Sequence, residues 1–328
     1  MNKRRNIILA LGASALIVPF GSFAQQSGKL VRVAIFERTS AEKYRALEKI
    51  FVDTLSELGW VEGRNIVYDR VYADDDVRRI PALAAALVKR NPDLIYTITF
   101  EPAREAFAAT RTIPIVNGSE SRWIKNGWAK TLAHPGGNMT GIANIGNELG
   151  AKRLQLLKQA LPKITRVGVL MHPNAPQTIE ELKLIERAAK GLRVTVVSAP
   201  AKQPAELEAA FASFAKNRVE AVLVTHTQLF LTEVGHLVAL ASKYRMPLFA
   251  HRGEMTDAGA LMSYSSVLTE QLRRAAHIAD KILKGAKPGD IPIELPTRFE
   301  LVVNQRTAKA LGIKIPGEVM LQTTRVIE

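Results

Sequence analysis

The chain is 328 residues long, 47% apolar and 23% charged, with no cysteine. These values describe a globular protein of two ordinary domains and exclude fibrous, disordered and disulfide-stapled classes, together with thiol nucleophiles and thiolate metal sites. Net charge is +14, yet the basic residues lie scattered beside acids, as in 41-AEKYRALEKI-50, and no Lys/Arg block is interleaved with aromatics, so a solvated basic surface is expected rather than a nucleic-acid footprint.

At the start of the chain, Lys3, Arg4 and Arg5 precede a short apolar run over 7–19 and then Ser22-Phe23-Ala24. Basic, apolar and small residues in that order read as an export signal over 1–24, with Gln25 as the first mature residue and the periplasm as destination. The apolar run is too short for a stable bilayer anchor. No cysteine follows it, so no lipid attachment is expected. General secretion and the twin-arginine route both stay open. The three basic residues of this segment leave +11 for the remainder.

From residue 31 short apolar runs alternate with longer amphipathic stretches. Residues 31–36 read as a strand. Tyr44, Leu47, Ile50, Phe51, Leu55 and Leu58 then share one helical face, with Thr39 and Glu42 at capping-box spacing and Gly59 as a stop. Strands are expected over 66–72, 94–99, 113–116 and 139–143. Helices are expected over 80–89 and 103–110, with another running into Leu132. The plan then restarts, with strands over 167–171, 194–198, 221–225, 247–250 and 261–264 and helices over 178–190, 205–216 and 231–243. Runs such as 221-AVLV-224 suit parallel strands buried on both faces. The repeat predicts an α/β fold of two Rossmann-like lobes, each with a parallel sheet and right-handed crossovers.

The stretch 134-HPGGNMTGIAN-144 has the look of a phosphate loop. A dinucleotide loop, however, follows a first strand and opens a helix with G-x-G-x-x-G spacing, and a phosphate loop ends in G-K-[ST]. Here strand-like residues follow the glycines and the lysine is missing. The stretch is therefore expected to be a turn, a fifth strand and an interlobe crossing.

Ligands of open parallel sheets sit beyond the carboxyl ends of the strands. With two lobes facing each other, the residues just past each strand line one cleft. From the first lobe these are Glu37, Arg38, Thr39, Ser40, Phe100, Glu101, Ser119, Glu120 and Arg122. From the second they are His172, Asn174, His226, Thr227, His251 and Arg252, and the crossings add Asn144, Tyr264 and Ser265. Arginine and the amides at Thr39-Ser40 suit a carboxylate, and acids and hydroxyls suit an amine. Phe100, Trp123 and Tyr264 are candidates to stack on a flat or apolar part of a small solute. His172, His226 and His251 raise a zinc reading, but no close metal-ligand spacing accompanies them, so no metal and no cofactor are expected. No G-x-S-x-G elbow or other catalytic set occurs, which argues against an enzyme.

Four sets of residues carry a family likeness: 58-LGWVEGRNI-66; 110-TRTIPIV-116 with 135-PGGNMTG-141; 259-GALMSY-264 with 272-LRRAAHIADKILKGAKP-288; and 296-PTRFELVVNQRTAKALGI-313. Together they resemble the ABC-transporter substrate-binding proteins of the tryptophan/tyrosine type, from about residue 31 to the end. The resemblance implies a type I periplasmic binding fold with three crossovers, near 140–144, 264–267 and 296–299. Lobe one would comprise 30–141 plus 266–296, and lobe two 142–265 plus 297–328. It also implies a protein that captures a small solute by hinge closure and delivers it to an ABC permease in the inner membrane; a monomer without a nucleic-acid partner is expected. Where members of that family carry Gly-Thr-Pro, Asp-Pro and Gly-x-Asp on the rim, this chain has Thr99-Phe100-Glu101, Arg122-Trp123 and Ser265-Ser266-Val267. The ligand therefore does not carry over, and Arg122 in place of an acid suggests a more anionic one. A sensor for a membrane signalling partner and a secreted enzyme using the cleft are the alternatives.

Overall fold

A computed structural model describes residues 30–328; the export signal expected over 1–24 lies outside the described residues. The first half of the chain runs β1 (Val31–Glu37), α1 (Ala41–Glu57), β2 (Ile66–Tyr72), α2 (Ile80–Lys89), β3 (Leu94–Thr97), α3 (Phe100–Ala109), β4 (Ile115–Glu120) and β5 (Met139–Ala143). The second half begins with α4 (Gly150–Ala160), β6 (Arg166–Met171), α5 (Pro176–Leu192), β7 (Thr195–Pro200), α6 (Leu207–Lys216) and β8 (Ala221–Val224). It continues with α7 (Gln228–Thr232), α8 (Val234–Tyr244), β9 (Leu248–Ala250), α9 (Gly253–Asp257) and β10 (Met262–Ser266). The last segment is α10 (Leu268–Leu283), β11 (Phe299–Asn304), α11 (Gln305–Leu311), α12 (Gly317–Gln322) and β12 (Arg325–Ile327).

The repeat read from the sequence is present in space. The first sheet has the order β2-β1-β3-β4-β5, and the second repeats it as β7-β6-β8-β9-β10 before adding β11 and β12. Strands within the repeated order pair in parallel. β11 departs from the all-parallel expectation and runs antiparallel to β10, with Ser266 opposite Phe299. It enters the sheet from the crossing beside the end of β10, and this fixes its direction.

Each sheet is covered on both faces, as buried parallel strands require. In the first, Tyr44, Phe51 and Leu55 of α1 and Ala275, Ile278 and Ala279 of α10 cover one face. Ala84 and Leu87 of α2, Ala103 and Ala106 of α3, Trp123 and Trp128 cover the other. Phe51 stacks on Tyr96 at 3.6 Å. Burying each such side chain stabilises the fold by about 1.5–3 kcal/mol. Although α10 follows β10 of the second sheet, it packs on the first, where its Asp280 Oδ1 accepts from Trp60 Nε1 at 2.9 Å.

Three passages of chain lie side by side between the sheets. Ala143 N donates to Glu294 O at 2.8 Å, Glu294 N to Gly141 O at 3.0 Å, and Val267 N to Arg298 O at 3.0 Å. The glycine-rich stretch behaves as a turn followed by β5. Gly136 has φ 72°. Gly141 has φ 152°, and a Cβ there would stand 1.9 Å from the Asn117 carbonyl oxygen; only glycine allows β5 to approach β4 this closely.

Three local expectations fail for identifiable reasons. No helix runs into Leu132: residues 121–133 form turns, because Gly127 takes φ 69° after Asn126 and Trp123 and Trp128 are driven into the core. The helix expected over 231–243 is two helices that break at Glu233, and the first is capped by Thr227 Oγ1 accepting from Leu229 N. The Thr39/Glu42 capping box does not form: Ser40 is the N-cap and makes no side-chain capping bond.

Candidate ligand-binding site

The carboxyl ends of both sheets face a polar hollow between the lobes. Six of the residues expected from topology line it: Ser119, Asn144, His226, His251, Arg252 and Ser265. Asn144 is the joint. Its N donates to Glu120 O at 2.8 Å, its Nδ2 to Ser119 Oγ at 3.0 Å, and its Oδ1 accepts from Gly146 N at 2.8 Å. This holds the first crossing against the end of β4. Gln271 and Ser266 close the opposite side, with Gln271 Nε2 donating to Ser266 Oγ at 2.7 Å.

Sequence reasoning missed the most committed residue of the lining, Arg153 of α4. Its Nη1 donates to Glu181 Oε1 at 2.7 Å and its Nε to the Tyr264 carbonyl at 2.9 Å, while Glu181 Oε2 accepts from His226 N at 2.8 Å. Both side chains of the pair are fully buried. Burial raises the Glu181 carboxyl to about 7, with the Arg153 charge pulling it back; burial also lowers Arg153 from its ordinary value. Arg153 Nη2 is buried with no hydrogen-bond partner, and so is His251 Nδ1.

The two histidine rings meet edge to face, with centroids 5.0 Å apart. Burial, then the charges of Arg153 and Arg252, lowers His226 to about 3. His251 is lowered well below its ordinary value by burial, with His226 next. Both are therefore neutral imidazoles at neutral pH. His172 does not join them as a third ligand: its Nδ1 accepts from Asn174 N at 3.2 Å. Among the described residues no three His, Cys, Asp or Glu gather into a metal-binding group.

The other expected residues sit elsewhere on the rim. Arg38 pairs with Glu101 at 3.6 Å and approaches Asp75 at 3.9 Å, so it is already neutralised. Thr39 and Ser40 lead into α1, and Asn174 is exposed. Thr227 serves as the cap of α7. Phe100 stacks on Trp128 and Tyr264 on Phe299. Trp123, a candidate stacking surface, is only 1% exposed and belongs to the core. Glu120 is buried, and desolvation raises its carboxyl; its Oε1 accepts from Arg122 N at 2.6 Å. Arg122 does not line the hollow, so the cations there are Arg153 and Arg252.

Behind the first-lobe rim, Glu37 is fully buried, with Ile98 N donating to its Oε1 and Thr99 Oγ1 to its Oε2 at 2.8 Å. Desolvation raises this carboxyl to about 8. Among the described residues no helix is long and apolar enough to cross a membrane.

The family model described as ABC transporter substrate binding protein matches residues 32–327. The tyrosine-binding protein of Clostridioides difficile (strain R20291) is 26% identical over 280 residues, covering 85% of this chain and 79% of that protein. Among solved structures, a conserved domain protein from Vibrio cholerae matches with a TM-score of 0.80 at 24% identity, over 91% of this chain and 100% of that one. The ABC domain in complex with L-Trp from Streptococcus pneumoniae matches with a TM-score of 0.79 at 21% identity, over 90% and 99%. At these identities the structural matches speak for the fold.

Proposed function

Because the chain belongs to the ABC transporter substrate binding protein family, we propose that it captures a small polar or amino-acid-like solute bearing a carboxylate in the hollow between its lobes and hands it to an ABC permease of the inner membrane. The family is one of binding proteins, not enzymes. The observation that carries the ligand class is the unpartnered Arg153 Nη2, buried at the wall of the hollow. A buried donor without an acceptor costs about 1–3 kcal/mol, and more when it is charged, and a carboxylate oxygen supplies the missing acceptor.

Capture works by closure about the three crossings. Residues 30–141 with 266–296 act as one lobe, and 142–265 with 297–328 as the other. Ser119 and Gln271 approach the solute from the first, and Arg153, His226, His251 and Arg252 from the second. A ligand that touches both favours the closed state by the difference in its contacts. The order of residues over 1–24 supports export and work in the periplasm. The names of relatives that bind tyrosine or L-Trp support a solute of amino-acid size.

The test is a thermal-shift and calorimetric screen of purified protein against amino acids, organic acids and sugars, with small-angle scattering of each hit. A ligand at a hundred times its Kd stabilises the fold by about 2.7 kcal/mol, and closure shrinks the radius of gyration. Failure of every small solute to bind saturably would refute the reading.

A further inference from the structure

The hollow carries a charge asymmetry that narrows the solute beyond its carboxylate. Two arginines, Arg153 and Arg252, and two histidines face it, and none of its lining residues is Asp or Glu. Two carboxylates beside the arginines are already engaged. Glu181 takes Arg153 Nη1 on one oxygen and His226 N on the other. Glu254 pairs with Arg252 at 2.9 Å. Glu300 lies behind Ser265, 3.5 Å from its Oγ, and is not itself a lining residue. An α-ammonium group entering this space would find no carboxylate among the lining residues, and burying a charge unpaired is costly. The remaining groups, Ser119, Asn144, Ser265 and Gln271, are neutral donors and acceptors suited to hydroxyls.

We infer that the solute is an organic anion without an ammonium group, a hydroxy or dicarboxylic acid rather than a zwitterionic amino acid, with its carboxylate read by Arg153. This rests on the binding reading above and departs from the ligands for which the tyrosine- and L-Trp-binding relatives are named. Arg153 is suited to the task because Glu181 and the Tyr264 carbonyl fix two edges of its guanidinium and leave Nη2 for the ligand. A buried donor held this firmly discriminates strongly between solutes that satisfy it and solutes that do not.

Matched pairs that differ only in hydroxyl against ammonium at the second carbon test this directly: malate and aspartate, glycerate and serine, 3-phenyllactate and phenylalanine, indole-3-lactate and tryptophan. Each is titrated calorimetrically into the protein at pH 7.5. At least one hydroxy acid is expected to bind at least about tenfold more tightly than its amino partner. An amino acid that matches or exceeds its hydroxy partner overturns the inference and leaves solute capture standing. Saturable binding by an uncharged polyol alone does the same. Absence of binding by any solute class sinks both.

Arg153→Gln is expected to weaken the hydroxy acid about a hundredfold. Because that change strands Glu181, the double variant Arg153→Gln/Glu181→Gln serves as a control that removes both buried charges. It should lose affinity for the hydroxy acid while remaining folded. If the folded double variant retains that affinity, Arg153 is not the reader of the carboxylate.

Discussion

Arg153 Nη1 and Glu181 Oε1 stand 2.7 Å apart with neither side chain exposed to solvent. The pair joins α4 to α5. Through Arg153 Nε it also grips the Tyr264 carbonyl, two residues before β10 ends at a crossing, and through Glu181 Oε2 it holds the His226 amide at the cleft. One buried ion pair therefore connects the wall of the hollow to the strand that leads into a crossing. In the closure proposed above, carboxylate binding to Nη2 would be felt by that strand.

Removing one member of this pair leaves the other as a buried charge, at a cost of about 3–5 kcal/mol. Arg153→Met and Glu181→Met should each lower the urea midpoint strongly. The double variant should be less destabilised than the sum of the two, because an apolar pair of similar volume avoids both desolvation costs. Additive losses in a double-mutant cycle would show that the pair is not energetically coupled.

Glu37 supplies a pH dependence of definite sign. Its folded value of about 8 lies above the ordinary 4.5, so the folded chain keeps a proton that the unfolded chain releases between those values. Its contribution is full below about 4.5 and is lost as pH rises to about 8. The stability difference between wild type and Glu37→Gln should therefore turn against wild type over this window, by up to about 1.4 kcal/mol per pH unit. A difference that stays flat from pH 5 to 8 would mean Glu37 ionises normally.

His226 acts in the opposite direction. It is depressed to about 3, so between about 6.5 and 3 the unfolded chain binds a proton that the folded chain refuses, and stability is lost as pH falls through that window. His226→Asn should be less sensitive to acid than wild type between pH 6 and 4 when unfolding is followed by circular dichroism. Equal acid sensitivity would indicate that the ring is protonated in the folded protein.

The lobes were legible in the sequence because parallel strands buried on both faces leave short, continuous apolar runs, and those runs recur in the same order. The rim residues followed from strand ends, which is why Ser119, Asn144, His226, His251, Arg252 and Ser265 were within reach. Arg153 was not, since it lies within a helix and not at a strand end. A signal was nevertheless present. Arg153 shares a stripe with Leu157 and Ala160, and Glu181 lies between Thr178 and Ile185, and all of these are buried. Opposite charges on the apolar stripes of two helices that flank one strand imply that they meet. Trp123 misleads in the other direction: its place after a strand end makes it a candidate stacking surface and a helix is expected to run into Leu132, whereas Trp123 and Trp128 anchor the turns of 121–133 to the core.

Gly141 should not tolerate a side chain. A Cβ at this position would lie 1.9 Å from Asn117 O, on a backbone with φ 152°, and the clashing atom is main chain of the neighbouring strand and cannot rotate away. Gly141→Ala is expected to cost about 3 kcal/mol or more, with amide exchange accelerated first along β5. Gly285 also has positive φ but open space around it; Gly285→Ala bears only the conformational cost of about 1–2 kcal/mol. Equal thermal shifts for the two variants would contradict the steric account.

The last prediction concerns the mouth of the cleft. Lys125, on the turn after β4, forms an ion pair with Glu180 on α5, so the contact crosses from one lobe to the other. Both side chains are more than one-third exposed, and an exposed pair contributes only about 0.2–1 kcal/mol. That is small for folding. It is meaningful for an open–closed equilibrium, where the same energy changes the closed population and hence ligand affinity up to about fivefold. Lys125→Ala should weaken ligand binding by no more than that factor and enlarge the ligand-free radius of gyration, with the melting temperature little changed. Glu180→Lys, which places two cations at the mouth, should do more. Salt at 1 M should erase the difference between wild type and Lys125→Ala, because the screening length there is about 3 Å. If affinity falls equally at low and high salt, the lysine acts by packing and not as an electrostatic latch.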